Sequence, residues 1–202
     1  FNWLFDSVAP TLSAVSIESN NTTDTLAKVN DVITLTMTAN ETIQTPVVTF
    51  QSGSAAITDT SITYNNTSGN TWTAAYTANS SDTNGSVSYS IAYTDSAGNA
   101  GTAVTSGSGS VTFDKTAPMV SVTGDNPATV ELGDTYTDAG ATATDISGDV
   151  NVVTTGTVDT DTVGTYTVTY TSTDSSGNAG TATRTVNVVD TTTPVVTVTS
   201  GT

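Results

Sequence analysis

Short runs in which apolar and polar residues alternate cover most of the chain, and clusters of Asn, Gly and Ser separate them. Alternation with period two places every second side chain on one face of a β-strand, so these runs predict half-buried strands. In the first half of the chain, strands are predicted at 15–17, 32–39, 47–50, 71–77, 87–94 and 103–113. In the second half, they are predicted at 120–122, 128–131, 141–144, 150–154, 165–173 and 182–189. The polar clusters, among them 19–24, 65–70 and 80–85, predict turns.

An eight-residue segment occurs twice and divides the chain into two similar modules. Residues 95–102 read DSAGNAGT, and 79 positions later residues 174–181 read DSSGNAGT. A second marker, Asp-x-x-x-Pro, stands at 6–10, 114–118 and 190–194. Such repetition is typical of arrays of small domains, which usually serve as spacers, stalks or binding surfaces rather than as enzymes. The predicted fold class is therefore all-β, with two tandem antiparallel β-sandwiches.

The predicted organisation has four parts. An apolar segment and linker (1–10) is followed by sandwich 1 (11–114) and sandwich 2 (115–190), and a linker with one isolated strand (191–202) comes last. Trp72 is predicted as the central aromatic residue of the first core. The strand at 194–199 has two interpretations: it is the first strand of a further module, or it is donated to a neighbouring subunit.

Composition excludes several classes of function. Three basic residues stand against 19 acidic ones, for a net charge of −16, which disfavours nucleic acid and anionic membranes as partners. The chain has no Cys and no His, so it can form neither a disulfide nor a Ser-His-Asp triad. No apolar run is long enough for direct membrane insertion. Threonine, about a quarter of the residues, favours extended backbone.

Several segments resemble the immunoglobulin-like (Ig-like) repeat domains of large bacterial surface proteins and adhesins. In the second module these are ELGDTYTDAGATA at 131–143, GTYTVTY at 164–170 and DSSGNAGTATRTV at 174–186. The first module resembles a related repeat through AKVNDVITLT at 27–36 and its turn at 95–99. Residues 161–166 resemble a tyrosine corner, in which a Tyr hydroxyl bonds back across a loop. The resemblance implies seven-stranded Ig-like sandwiches, an extracellular location and a role in adhesins, surface layers or appendages. It does not imply a catalytic activity.

The Asp-Ser-x-Gly-Asn turns are candidate calcium sites, because Ca²⁺ prefers carboxylate and amide oxygens. The alternative is mechanical, since Asp and Gly also stabilise such a turn without an ion. An inter-module structural Ca²⁺ site is predicted from Asp114, Asp145, Asp149, Asp174 and Asn178. A counterpart is predicted at the outer end of the first module, here called the outer pole, from Asp6, Glu41, Asp95 and Asn99.

Both ends of the chain carry candidate contact residues. Large apolar side chains are concentrated there, at Phe1, Trp3, Leu4, Phe5, Val195, Val196 and Val198. They either pack within the chain or dock on another molecule. Seven Asn-x-Ser/Thr sequons are candidate glycosylation sites and all fall in the first module: Asn20, Asn21, Asn40, Asn65, Asn66, Asn79 and Asn84.

The sequence predicts a non-enzymatic, extracellular structural or adhesive segment whose partners are neighbouring modules or identical subunits. One alternative is a subunit of a surface filament, pilus or surface layer, joined by donation of strand 194–199 and docking of residues 1–5. A second alternative is a module whose Thr-rich sheet faces bind glycans or ice. Glycans or another cell surface are further candidate partners of the contact surface. Enzymatic action would need a pair of carboxylates across a cleft, and the acids are predicted in turns at opposite poles.

Overall fold

The structure is a computed structural model, and it describes residues 5–148 and 150–198. Every regular element in these two ranges is a β-strand, so the predicted all-β class is confirmed. No helix with the length and apolarity to cross a membrane occurs among the described residues. The chain divides into unit 1, Phe1–Thr116 with Ser175–Gly177, and unit 2, Ala117–Asp174 with Asn178–Thr202.

Unit 1 is a sandwich of two mainly antiparallel sheets. Its strands are β1 (Leu12–Ser19), β2 (Leu26–Ala27), β3 (Val32–Ala39), β4 (Val47–Ser52), β5 (Ala55–Ala56), β6 (Thr63–Ser68), β7 (Thr71–Thr77), β8 (Gly85–Ala92) and β9 (Thr112–Phe113). One sheet has the order β1-β3-β7-β6 and the other β2-β9-β8-β4-β5. The alternating side chains of β3 bury Ile33, Leu35 and Met37 between them. Phe50 of one sheet contacts Tyr76 of the other, with 4.7 Å between ring centroids.

Unit 2 is a smaller sandwich. Its strands are β10 (Met119–Val122), β11 (Ala128–Glu131), β12 (Ala141–Thr144), β13 (Val152–Thr155), β14 (Gly164–Thr173) and β15 (Ala179–Val189). The sheets have the orders β11-β15-β14-β13 and β10-β12, and all pairs are antiparallel except β11 with β15. Val168, Tyr170 and Val186 form the buried core, and Val120 and Val122 pack on it from the two-stranded sheet.

The long strand predicted at 103–113 is wrong. Only Thr112–Phe113 form a strand there, and single bridges connect the rest to neighbouring strands. Glycines explain the difference: a Cβ on Gly107 or Gly109 would lie 2.4 or 2.3 Å from a carbonyl oxygen of β1. The segment therefore runs against the backbone of β1, and Gly109 has a φ of +76°, outside the strand region.

Two other expectations for unit 1 are wrong in part or whole. The polar cluster 65–70 is predicted as a turn, but only residues 69–70 form one, and residues 65–68 belong to β6, which pairs with β7 at the sheet edge. Apart from the half-buried Tyr64, the side chains of β6 are exposed, so its polarity reflects solvent contact. Trp72 is not the central aromatic residue of this core: it is only half-buried and packs against the buried cluster, in which Phe50 and Tyr76 are the aromatic pair.

The ends of the chain carry no strand in their described residues. Residues 194–198 pair with no strand among the described residues, and Thr199 lies outside them. A strand at 194–199 that belongs to a further module or is donated to a neighbouring subunit stays a prediction. Val195, Val196 and Val198 are 85–90% exposed. Phe5 is 88% exposed. Phe1, Trp3 and Leu4 also lie outside the described residues.

Candidate functional site

The repeated turn of unit 1 closes on its own aspartate. Asp95 is buried, and its Oδ1 accepts hydrogen bonds from the N–H groups of Ala97 and Asn99, both at 2.8 Å. Its Oδ2 accepts a third from Asn99 Nδ2 at 2.7 Å. Burial acts to raise the pKa of the Asp95 carboxyl, but hydrogen bonds from Asn99, Gly98 and Ala97 outweigh it and lower that pKa. An ionised carboxylate therefore stabilises this turn.

The second copy of the turn, which follows β14, has the same arrangement. Asp174 accepts hydrogen bonds from the N–H of Asn178 at 2.8 Å and from Asn178 Nδ2 at 2.9 Å. Gly177 has a φ of +89°, a conformation that residues with a Cβ rarely adopt, and Gly98 has one of +97° in unit 1. In both turns the Asn side chain donates to the aspartate. The mechanical role of the repeated motif is thus present in both units.

The two markers of the sequence repeat meet at the start of each unit. A Cβ on Gly180, the second Gly of the repeated turn, would lie 1.9 Å from the carbonyl oxygen of Pro118. In unit 1, a Cβ on Gly101 would lie 2.8 Å from the carbonyl oxygen of Pro10 and 2.2 Å from the Tyr93 ring. Real Cβ contacts essentially never fall below 3.0 Å. Each unit therefore holds its entering chain against its last turn, a contact that we call the entry seat.

Four residues are predicted at the outer pole, and the carboxylates of the three acidic ones lie close together in unit 1. Carboxylate oxygens of Asp6, Glu41 and Asp95 lie within 4.8 Å of one another. Asp6 is exposed, Glu41 half-buried and Asp95 buried. Asn99 adjoins them, and its Nδ2 donates to the backbone carbonyl of Asp6 at 3.2 Å. Among the described residues, none of the three carboxylates forms an ion pair with Lys or Arg.

The residues predicted at the inter-module site fall in different parts of the chain. Asp114 belongs to unit 1, whereas Asp145, Asp174 and Asn178 belong to unit 2. Within unit 2, carboxylate oxygens of Asp145 and Asp174 lie within 4.8 Å of each other. Asp149 lies outside the described residues. An ion held by this set stays a prediction.

Unit 2 contains a buried arginine that the sequence analysis did not single out. Arg184 is 1% exposed and forms an ion pair with Asp138, whose side chain is 27% exposed. Two tyrosine hydroxyls donate to the same Asp138 oxygen, Tyr170 at 2.6 Å and Tyr136 at 3.0 Å. The guanidinium carbon lies 5.7 Å from the centre of the Tyr170 ring. The ion pair thus attaches the segment between β11 and β12, which carries Asp138, to β15, which carries Arg184.

The pKa shifts in this cluster all favour the charged pair. Burial acts to raise the pKa of Asp138, but hydrogen bonds from Tyr170 and Tyr136 and the charge of Arg184 outweigh it and lower that pKa. Burial, followed by the hydrogen bond to Asp138, raises the pKa of Tyr170 to about 12. The hydrogen bond with Tyr136 is the largest cause that raises the pKa of Arg184. The carboxylate and guanidinium therefore stay ionised while Tyr170 stays protonated.

An open cleft of about 480 Å³ lies beside this cluster in unit 2. Asp134, Tyr136 and Asp138 contribute polar groups to its lining, and Val168 contributes an apolar wall. Within this lining, Asp138 is bonded to Arg184 and to two tyrosine hydroxyls.

The fold and the repeated turns agree with a sequence match in unit 2. Residues 120–188 match the family "Bacterial surface protein, Ig-like domain". The match contains all three segments on which the predicted resemblance of the second module rests, so that resemblance is confirmed. No curated protein matches the chain.

Solved structures of tandem Ig domains are also similar to the chain. The titin I-band fragment I67–I69 is 12% identical with a TM-score of 0.47, and the alignment covers 91% of this chain and 66% of that one. Domains IG1 and IG2 of DIP-gamma are 11% identical with a TM-score of 0.41, covering 90% and 98%. The chain thus spans slightly less than two thirds of the titin fragment. Identities this low carry no information on function.

The Ig-like unit 2 also has the predicted tyrosine-corner hydrogen bond. Tyr166 Oη donates to the backbone carbonyl of Thr162 at 2.9 Å, within the segment that precedes and opens β14. Unit 1 has Val87 at the equivalent position and cannot form this bond. The corner therefore distinguishes the two Ig-like units.

The sequons of unit 1 differ in how freely a glycan could be attached. Asn20, Asn40, Asn65, Asn66 and Asn79 are exposed, and Asn21 and Asn84 are half-buried. Asn84 Nδ2 donates to Asp114 Oδ1 at 2.8 Å and to Thr116 Oγ1 at 2.7 Å, and a glycan on that nitrogen would disrupt both bonds. Asn65 lies exposed on the edge strand β6. Glycosylation of these residues stays a prediction.

Proposed function

We propose that the chain is a non-enzymatic, extracellular segment of a cell-surface protein, in which Ig-like units act as spacer and contact surface. The observation that carries the proposal is the entry seat, which occurs in both units and holds the chain entering each of them. A seat for the incoming chain suits a unit that is joined to others in series. The match to Ig-like domains of bacterial surface proteins supports the surface location.

The chemistry of the described residues supports the non-enzymatic part of this proposal. Asp138 is held in an ion pair, and Asp95 and Asp174 are held in turns by several hydrogen bonds. Catalytic acids need a raised pKa, whereas the pKa values of Asp95 and Asp138 are lowered.

A second candidate function is assembly into a surface filament or layer. It is favoured by the three valines of the C-terminal segment, which are 85–90% exposed, and by Phe5, which is 88% exposed. Donation of residues 194–199 to a neighbouring sheet would bury these valines, and docking of residues 1–5 would bury the other end.

Removal of both ends separates the two candidates. We expect the full chain and a shortened chain of residues 11–190 to elute as monomers in size-exclusion chromatography with light scattering. A spacer makes its contacts through joined units and has no need of its ends for self-association. A chain of residues 11–202 is the control that assigns any association to one end. Concentration-dependent oligomers of the full chain that vanish in the 11–190 chain would instead establish assembly.

A calcium ion at the outer pole of unit 1 is proposed as a structural addition to the spacer function. The donors are hard oxygens, and three carboxylates within 4.8 Å of one another repel unless a cation compensates them. Neutralising this repulsion would stabilise unit 1 together with the linker that carries Asp6.

We expect calcium to raise the thermal midpoint of unit 1 by several degrees, because an ion that binds only the folded state stabilises it. Glu41→Gln removes one charge of the cluster and should abolish most of the rise. Glu18→Gln, on the exposed face of β1, is the matched control and should retain it. Equal rises in both variants, or none in the unmodified chain, would contradict the site. Melting curves with calcium and with a chelator provide the measurement.

A further inference from the structure

The chain that leaves unit 2 is bound by one carboxylate. Glu131 is the last residue of β11, and the parallel pairing of β11 with β15 places it beside Val189, the last residue of β15. Oε1 of Glu131 accepts hydrogen bonds from the N–H groups of Thr191 and Thr192 at 2.6 and 2.9 Å. The hydroxyl of Thr192 donates to the same oxygen at 2.9 Å, and that of Thr191 donates to Oε2 at 2.7 Å.

The Glu131 carboxylate accepts four hydrogen bonds from the protein, where an exposed glutamate would be bonded mainly to water. The bond from the Thr191 hydroxyl is the largest cause that lowers the pKa of Glu131, followed by the Thr191 N–H. Hydrogen bonds to a charged acceptor are stronger than those between neutral groups. The two residues that follow β15 are therefore attached to the end of β11.

In unit 1, the chain that leaves the unit is bound at the two equivalent residues, but by a different side chain. In the alignment of the Asp-x-x-x-Pro markers, Thr191 and Thr192 correspond to Lys115 and Thr116. Asn84 Oδ1 accepts a hydrogen bond from the N–H of Lys115 at 3.0 Å, and Asn84 Nδ2 donates to the Thr116 hydroxyl at 2.7 Å.

The Lys115 side chain adds to this attachment in unit 1. Its Nζ donates to the backbone carbonyls of Ser80 at 2.9 Å and Asp82 at 2.6 Å, in the loop that precedes Asn84. Different residues from different parts of the two units thus bind equivalent points of the chain.

We propose that Glu131 and Asn84 are exit clamps, positioning residues that set the direction in which the chain leaves its own unit. In unit 2 the clamp ends at Thr192, and the segment that follows carries three valines that stay exposed. The three valine side chains are therefore accessible to another unit or molecule. The inference deepens the spacer function and rests on it for its purpose, since a spacer needs a defined exit from each unit.

Amide hydrogen exchange measured by ¹⁵N NMR on the full chain tests the clamp. In the unmodified chain, we expect the Thr191 and Thr192 amides to exchange at least about tenfold more slowly than in Glu131→Ala. Glu131→Gln keeps one carbonyl oxygen as an acceptor and should give intermediate rates. Glu18→Ala is the matched control and should leave both amides unchanged. In unit 1, Asn84→Ala should speed exchange of the Lys115 amide in the same way.

Two results would overturn the proposal. Rates at Thr191 and Thr192 that do not differ between the unmodified chain and Glu131→Ala would show that no clamp exists. Loss of protection throughout β14 and β15 in Glu131→Ala and Glu131→Gln would show that Glu131 supports the fold and not the exit. The exchange rates report hydrogen bonds within one chain, whereas the chromatography reports association between chains. The test of the clamp can therefore fail while the spacer function stands, and the reverse.

Discussion

Asp138→Asn is expected to destabilise unit 2 by about 3–5 kcal/mol, the cost of leaving a buried charge without its partner. Asn is close to Asp in shape and still accepts hydrogen bonds, so the loss isolates the negative charge. Arg184 is 1% exposed and has no access to water that could replace this charge. The free energy of unfolding can be taken from the most protected amides of β14 and β15.

The converse variant, Arg184→Met, should cost clearly less. It removes the buried charge, fills most of the same volume and leaves Asp138, at 27% exposure, in contact with solvent and two tyrosine hydroxyls. The double variant should be close to Arg184→Met alone, because it contains no buried guanidinium that could lose its partner. Equal costs for the two single variants would show that the pair contributes through packing rather than through charge.

Gly180→Ala is expected to destabilise unit 2 by at least about 2 kcal/mol, in the range of overpacked sites. Its Cβ would lie 1.9 Å from the Pro118 carbonyl oxygen, which belongs to the backbone and cannot rotate away. The entry seat would have to open, so protection should fall in β10 as well as in β15. Thermal and urea unfolding, followed by amide exchange, measure the effect.

Gly164→Ala is the matched control in the same unit. The nearest heavy atom to its Cβ would be 3.6 Å away, an ordinary contact with the Tyr166 ring. Its effect should stay within about 0.5 kcal/mol. If both alanine variants had the same small effect, the entry seat would be looser than the structure shows, and the close approach of Pro118 would not require Gly at position 180.

Four predicted strands, 32–39, 71–77, 128–131 and 141–144, have the bounds of β3, β7, β11 and β12. In β3 the alternation is complete, since a slip of one residue would turn every core side chain outward. The prediction fails where backbone, not side chains, makes the contact. At 103–113, two glycines press against β1, and no apolar pattern reports such an approach.

Part of the candidate site could be predicted in the same way. The prediction grouped Asp6, Glu41, Asp95 and Asn99 at one end of the first module, and the carboxylates of the three acids do lie together. Arg184 was missed although it left a signal: it occupies an inward position of β15, in line with Val186 and Val188. A charge at a core-facing position is rare enough to imply a buried partner. The clamp at Glu131 left no signal, because it depends on the parallel pairing of β11 with β15.

The burial of Arg184 has a consequence for the exterior of the molecule. Arg184 is enclosed and its charge is balanced by Asp138, so two lysines remain to offset the other 18 of the 19 acidic residues. Copies standing side by side therefore repel one another through water, over about 10 Å at 0.1 M salt and over less in stronger brine. The distance to which neighbouring copies can approach therefore decreases as the ionic strength of the medium rises.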